Sequence, residues 1–181
     1  MGLDMYLTKK TYVLNWNHTK PENRHSIIVL KGGNLTGIKS ERVQYIEELV
    51  AQWRKANAIH RWFVENVQDG KDECQESYVS TEQLQTLLTT VESVLNAIKV
   101  TDGDAHNGTA WDQNGRTEEY EPGRIITNPE VAHTLLPTKS GFFFGGTDYD
   151  EFYIQDLEYT RDTIKSILAE EDSEYYYRAS W

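Results

Sequence analysis

The sequence predicts an α+β fold, with three long helices and one short helix packed on a small, mainly antiparallel sheet. Three observations point there. A run rich in Tyr, Thr, Val and Leu opens the chain at residues 3–15 and a tyrosine run closes it at 174–181, as strands do. Apolar residues at 3- and 4-residue spacing fill 43–67, 84–98 and 149–168, as amphipathic helices do. Gly-, Pro- and Asn-rich turns separate these stretches, and 181 residues amount to about one domain. The prediction is therefore a single domain over 1–181 with an exposed insertion at about 101–123, and helix content above strand content.

The elements follow in order. Residues 3–15 and 26–30 read as strands joined by loop chemistry at 15–25, where Trp16, His18, Pro21 and Asn23 lie. Ser40 caps a long helix whose apolar positions run from Val43 through Trp53 and Phe63 to Val67, ending at Asp69-Gly70. Ser80 with Gln83 forms a capping box for a second helix with Leu84, Leu87, Leu88, Val91 and Val94 on one face. Residues 101–123 carry turn pairs and little to bury, so they form an exposed insertion or a ragged hairpin around Asn114-Gly115. Asn128-Pro129 opens a short helix ending near Leu136-Pro137. Glycines bracket Phe142 to Phe144 as a short strand. Thr147 or Asp148 then caps a third long helix, with Asp150 or Glu151 closing the box, and the Tyr175–Tyr177 run is a last strand. If the termini pair, Tyr6 and Tyr176 share a sheet.

Composition narrows the function. The net charge is −11, which disfavours whole-surface attraction to nucleic acid or anionic lipid. The excess is local: residues 1–100 hold 12 acids and 12 bases, whereas 148–174 hold 10 acids and 2 bases. A lone Cys74 excludes an internal disulfide framework, and no apolar run approaches the roughly 20 residues of a membrane span. Without a signal-peptide pattern, the chain reads as cytoplasmic with no membrane partner.

Three stretches, MGLDMYL at the start, WRKANAIHRWFVENVQDGKDEC at 53–74 and LLPTKSGFFFGGTDYDEFYIQDLEYT at 135–160, together with YYYRASW, resemble a family of small uncharacterised bacteriophage and bacterial proteins. The resemblance implies a phage or prophage setting and the host cytoplasm, where accessory genes often encode inhibitors or scavengers of host defence.

Candidate site residues come from two places. On the predicted first helix, Trp53, Asn57 and His60 fall at i, i+4 and i+7, with Arg54 and Arg61 on the border. Arg54 or Arg61 suits an anion, Asn57 an amide or base edge, His60 a hydrogen bond, and Trp53 or Trp62 a stacking surface. The alternative is a core Asn and His satisfied by a neighbouring strand. An outward Phe143 forms a pocket wall, with Thr138, Lys139 and Ser140 near enough for phosphate. The ligand-binding set is then Arg54, Asn57, His60, Arg61, Lys139, Phe143 and Tyr149. No catalytic residues, metal ligands or cofactor are assigned: the histidines are scattered, Asp102-Gly-Asp104 lacks the glycine and glutamate of a calcium loop, and Cys74 sits among acids that raise a thiol pKa. Asp148, Asp150, Asp156 and Glu158 read as a solvated helix face.

The leading function is a non-catalytic protein that captures a small polar aromatic, nucleotide-like ligand, in the manner of a sponge against host defence signalling. A second is an acidic protein-interaction inhibitor or nucleic-acid mimic, using the last helix and the 101–123 loop on a host protein. A third is an enzyme with His60 or His133 as general base. Direct nucleic-acid binding is disfavoured, and oligomer formation is left open.

Overall fold

The computed structural model describes residues 2–113, 115–170 and 173–181. In chain order the elements are β1 (Asp4–Tyr12), β2 (Leu30–Lys31), β3 (Asn34–Leu35), β4 (Tyr45–Arg54), α1 (Asn57–Asn66), β5 (Ser77–Val79), α2 (Thr81–Ala97), β6 (Val100–Asp112), β7 (Gly115–Ile126), α3 (Glu130–Leu135), α4 (Glu151–Leu168) and β8 (Glu174–Ser180).

The central sheet has the order β4-β1-β8-β5, antiparallel throughout. Met5 and Leu7 of β1 pair with Trp53 and Ala51 of β4 and with Ala179 and Tyr177 of β8. All six are buried, because alternate side chains of a strand share one face. That face carries the helices. Phe63 of α1 stacks on Tyr177 with ring centroids 3.9 Å apart, and Trp53 donates its indole N–H to Thr160 of α4 at 2.9 Å. Leu84, Leu87 and Val91 of α2 and Ile154, Leu157 and Ile164 of α4 complete the core.

The architecture corrects the sequence reading. Three long helices on one sheet is overturned: the four helices among the described residues have 10, 17, 6 and 18 residues, and there are three separate antiparallel sheets. More residues lie in strands than in α-helices. The helix expected over 43–67 divides, because 45–54 is β4. Its apolar residues satisfy a helical period, yet β1 without β4 would leave an open edge beside the core, and pairing with Met5 and Leu7 buries Trp53 and Ala51. Lys55, at φ 62°, turns the chain out of the strand, so α1 begins only at Asn57.

Smaller corrections follow from local chemistry. Only Leu30 of the expected 26–30 strand is in a strand, paired with Leu35 across Gly32-Gly33, both at positive φ. Residues 142–144 form a turn rather than a strand, with Phe143 at φ 70° and Phe144 donating its N–H to the Gly141 carbonyl. Asp150, not Thr147 or Asp148, is the N-cap of α4 and accepts from Phe152 N and Tyr153 N. Asn128 is not a cap either: it accepts from Lys99 N and so ties the base of the β6/β7 ribbon. Of the two readings of 101–123 the hairpin holds, as a ribbon paired from Val100 and Ile126 to Asp112 and Gly115 with one irregularity at His106, and Asn114, the expected tip, lies outside the described residues. Other readings hold. Ser80 and Gln83 form the capping box, and Tyr6 and Tyr176 share the central sheet. Among the described residues no helix is long and apolar enough to cross a membrane.

Candidate functional site

A cleft of about 380 Å³ opens where four pieces of chain meet: the β4–α1 corner, the 138–148 loop, the first turns of α4, and the bulge in the ribbon at His106. The corner is made by Lys55, whose left-handed backbone is held by its N–H to the Leu3 carbonyl at 2.7 Å. A non-glycine residue held there stores about 1 kcal/mol or more of strain. Gly145 lies against it, and a β-carbon at Gly145 would stand 2.9 Å from that of Lys55, which explains the glycine. Arg54 and Lys55 thus sit side by side at one wall. Arg54 is largely exposed and only 3.9 Å from Asp4, and Lys55 makes no ion pair among the described residues.

The opposite wall is α4. Asp150 is buried as its N-cap, and Phe152, Gln155 and Asp156 face the cleft. Burial pushes Asp156 up to about 7, and the neighbouring Asp150 adds to the shift. Burial also raises Asp150, against the N–H groups of Tyr153 and Phe152 that favour its ionised form. The solvated-face reading therefore fails for both. It fails for Glu158 too: Arg124 of β7 forks between Glu151 (2.7 Å) and Glu158 (2.8 Å) and holds Glu151 down at about 2. Asp148 does line the cleft mouth as an exposed carboxylate.

No family model matches the chain, and no curated protein or solved structure matches it. The site is therefore read from its own chemistry.

Of the residues nominated from sequence, Arg54 and Asn57 line this cleft. Asn57 is 4% exposed, and its amide is fully used by backbone: Nδ2 donates to the Phe144 and Gly146 carbonyls at 3.2 and 2.7 Å, and Oδ1 accepts from Lys139 N at 2.9 Å. It is a clamp that shapes the 139–146 loop, not a ligand contact.

His60 is removed from the site altogether, with no exposed surface. Burial lowers its pKa against the pull of Asp72, so the ring is neutral. A neutral ring beside a carboxylate carries its proton on Nε2, which donates to Asp72 Oδ2 at 3.1 Å, while Nδ1 accepts from Tyr177 O–H at 2.8 Å. Burial disfavours the Asp72 charge, yet His60, the Trp181 indole at 3.0 Å and Lys139 at 3.3 Å hold its carboxyl below the usual range. Lys139 is thereby committed to Asp72 rather than to a phosphate. Arg61 points outward to Glu65 at 2.7 Å. Phe143 is partly exposed on the loop turn, where its carbonyl accepts from Leu3 N. Tyr149 packs on His133 and Tyr153 and accepts from Thr138 N, beside a shallower second cleft under the ribbon.

Sequence reasoning missed Lys55, His106, Asn107, Gln155 and Asp156. One signal existed for Asp156: it lies between the positions of Tyr153, Ile154 and Leu157, all buried, and a carboxylate flanked by a helix's apolar stripe is half-buried with it. His106 and Asn107 carry no such signal, because a ribbon bulge brings them in. Four separate parts of the chain meet around the clamp and the histidine: Leu3 near the start, Asn57, His60 and Asp72 from α1 and the loop after it, Lys139 and Phe144 from the 138–148 loop, and Tyr177 and Trp181 near the end.

Proposed function

We propose that the protein is a non-catalytic binder that captures a small polar aromatic, nucleotide-like ligand in this cleft. The observation that carries the reading is the opposition of Arg54 and Lys55 on one wall to Asp156 on the other, across one volume of ligand size. A cleft with both signs suits a ligand with both an anion and N–H donors. A nucleotide has them: its phosphate meets Arg54 and Lys55, and its base amino group meets Asp156 or Gln155, with Phe152 as an apolar wall. Asp156 titrates near 7 and Asp150 turns its oxygen to the N–H groups of α4, which leaves the exposed Asp148 at the mouth as the carboxylate that opposes a phosphate. The sponge role against host defence rests on the motif resemblance alone.

The test is a melting curve against a nucleotide panel. A ligand present at about 100 times its Kd adds about 2.7 kcal/mol, which shifts Tm by roughly 5–10 °C at this size. Arg54→Ala and Lys55→Asn, the latter tolerant of the left-handed backbone, abolish the shift and leave the unliganded Tm within a few degrees. No shift with any nucleotide overturns the reading.

The acidic-inhibitor reading keeps one supporting observation, the exposed Asp102, Asp104 and Glu119 of the ribbon. Capture of a basic host protein that weakens steeply with salt supports it.

A further inference from the structure

From Leu14 to Leu49 not one residue is buried. This stretch contains Ile28, Leu30, Leu35 and Ile38, exposed by 72, 55, 79 and 57%, and Trp16 at 55%. It is nevertheless ordered locally. Asn15 exchanges two hydrogen bonds with the His25 backbone, and β2 and β3 form a hairpin of two residues a side. The arm leaves the body where β1 and β4 outrun the sheet: β8 stops pairing with β1 at Lys10, and the pair continues alone to Tyr12 and Tyr45, whose rings meet edge to face at 5.2 Å. A two-residue hairpin has no independent stability in water, and a cluster of exposed branched apolar side chains on an otherwise polar chain marks a surface that is covered in use.

We infer that a second copy of this chain covers the arm, in a symmetric dimer in which each arm lies on the other body. The argument is charge. Residues 14–44 carry five basic and two acidic side chains, a net +3, whereas the rest of the chain carries 13 basic and 27 acidic, a net −14. Lys20, Arg24, Lys31, Lys39 and Arg42 form no ion pair among the described residues, although acids outnumber bases elsewhere. An apolar arm edged with unpaired cations finds its complement on any acidic body of its own kind, and a self-complementary contact closes as a two-fold dimer. The inference is independent of the cleft and its ligand.

Sedimentation of the full chain tests it. The wild type sediments as a dimer at about 100 µM. Ile28→Glu with Leu35→Glu weakens association by about a hundredfold, the size of losing two central contacts, with an unchanged far-UV spectrum because both side chains are exposed. Lys31→Glu with Lys39→Glu weakens it as well, and so does raising the salt from about 0.05 to 0.5 M, since Debye screening shortens severalfold. A wild-type monomer at about 100 µM overturns the inference, as does a dimer indifferent to both variant pairs. A monomer that floats with anionic vesicles overturns it in favour of a membrane surface as the occupant.

Discussion

A buried histidine and a half-buried aspartate pull stability in opposite directions as pH changes. His60 has a lowered pKa in the folded chain, so between that value and about 6.5 the unfolded chain binds the extra proton. Its contribution is present above about 6.5 and is lost as pH falls. Asp156 is raised to about 7, so between about 3.8 and 7 the folded chain binds the extra proton, and stability is lost as pH rises. The two slopes oppose each other below about 6.5, where both groups change protonation. Asp156→Asn exposes the histidine limb, with Tm falling towards acid and a gain of roughly 1–2 kcal/mol at pH 8 once the half-buried carboxyl's access to water is allowed for. His60→Gln exposes the other limb, with Tm rising towards acid. Parallel curves for the two variants contradict the assignment. Asn57 makes a separate test of the loop clamp. Asn57→Ala leaves two carbonyls and one N–H without their partner, a loss of about 2–4 kcal/mol, and amide exchange speeds up specifically over 139–146. A loop that exchanges at the wild-type rate shows that the clamp is dispensable.

Among the elements, the β6/β7 ribbon meets the start of α4 through a backbone bridge at Ile125 and Asp150 and through the ion pairs of Arg124. Arg124 donates from its backbone N–H and from its guanidinium to Glu151, and from the guanidinium to Glu158. Arg124→Ala leaves two carboxylates facing each other and costs about 1–3 kcal/mol, the range for a forked, charge-assisted pair that is partly exposed. Amide exchange over 100–126 rises while that of β1 and β8 does not; equal rises in all three segments refute a local role. Nothing local in the sequence marks Arg124, because its partners are 27 and 34 residues away. The same contrast runs through the fold. The Ser80 box and the α2 stripe were legible, since every contact that defines them lies within four residues. β4 was not, because Ile46, Leu49, Val50 and Trp53 satisfy a helical period while Ala51 and Trp53 satisfy an alternating one, and only the distant β1 decides between them. Of the site, the sequence exposed the Arg54–Asn57 corner and mistook the clamp for a contact, and it hid the wall that α4 and the ribbon supply.

At the scale of the molecule, the acidity is less uniform than the net charge suggests. Glu151 and Glu158 are held by Arg124, Asp150 caps a helix, and Asp156 titrates near neutrality, whereas Asp102, Asp104 and Glu119 of the ribbon are exposed and form no ion pair among the described residues. The arm carries the opposite sign. The strand order has its own consequence, which concerns time rather than space. β1 and β8 are the two inner strands, yet one begins at residue 4 and the other at residue 174. While the ribosome has delivered residues only up to about 170, β1 has β4 alone, β5 has no neighbour, and Phe63 has no Tyr177 to stack on. The emerging chain thus holds its helices against half a sheet, with Met5 and Leu7 uncovered on one side, and has to be kept from aggregating until one short late segment slides between two waiting edges and closes the core in a single step.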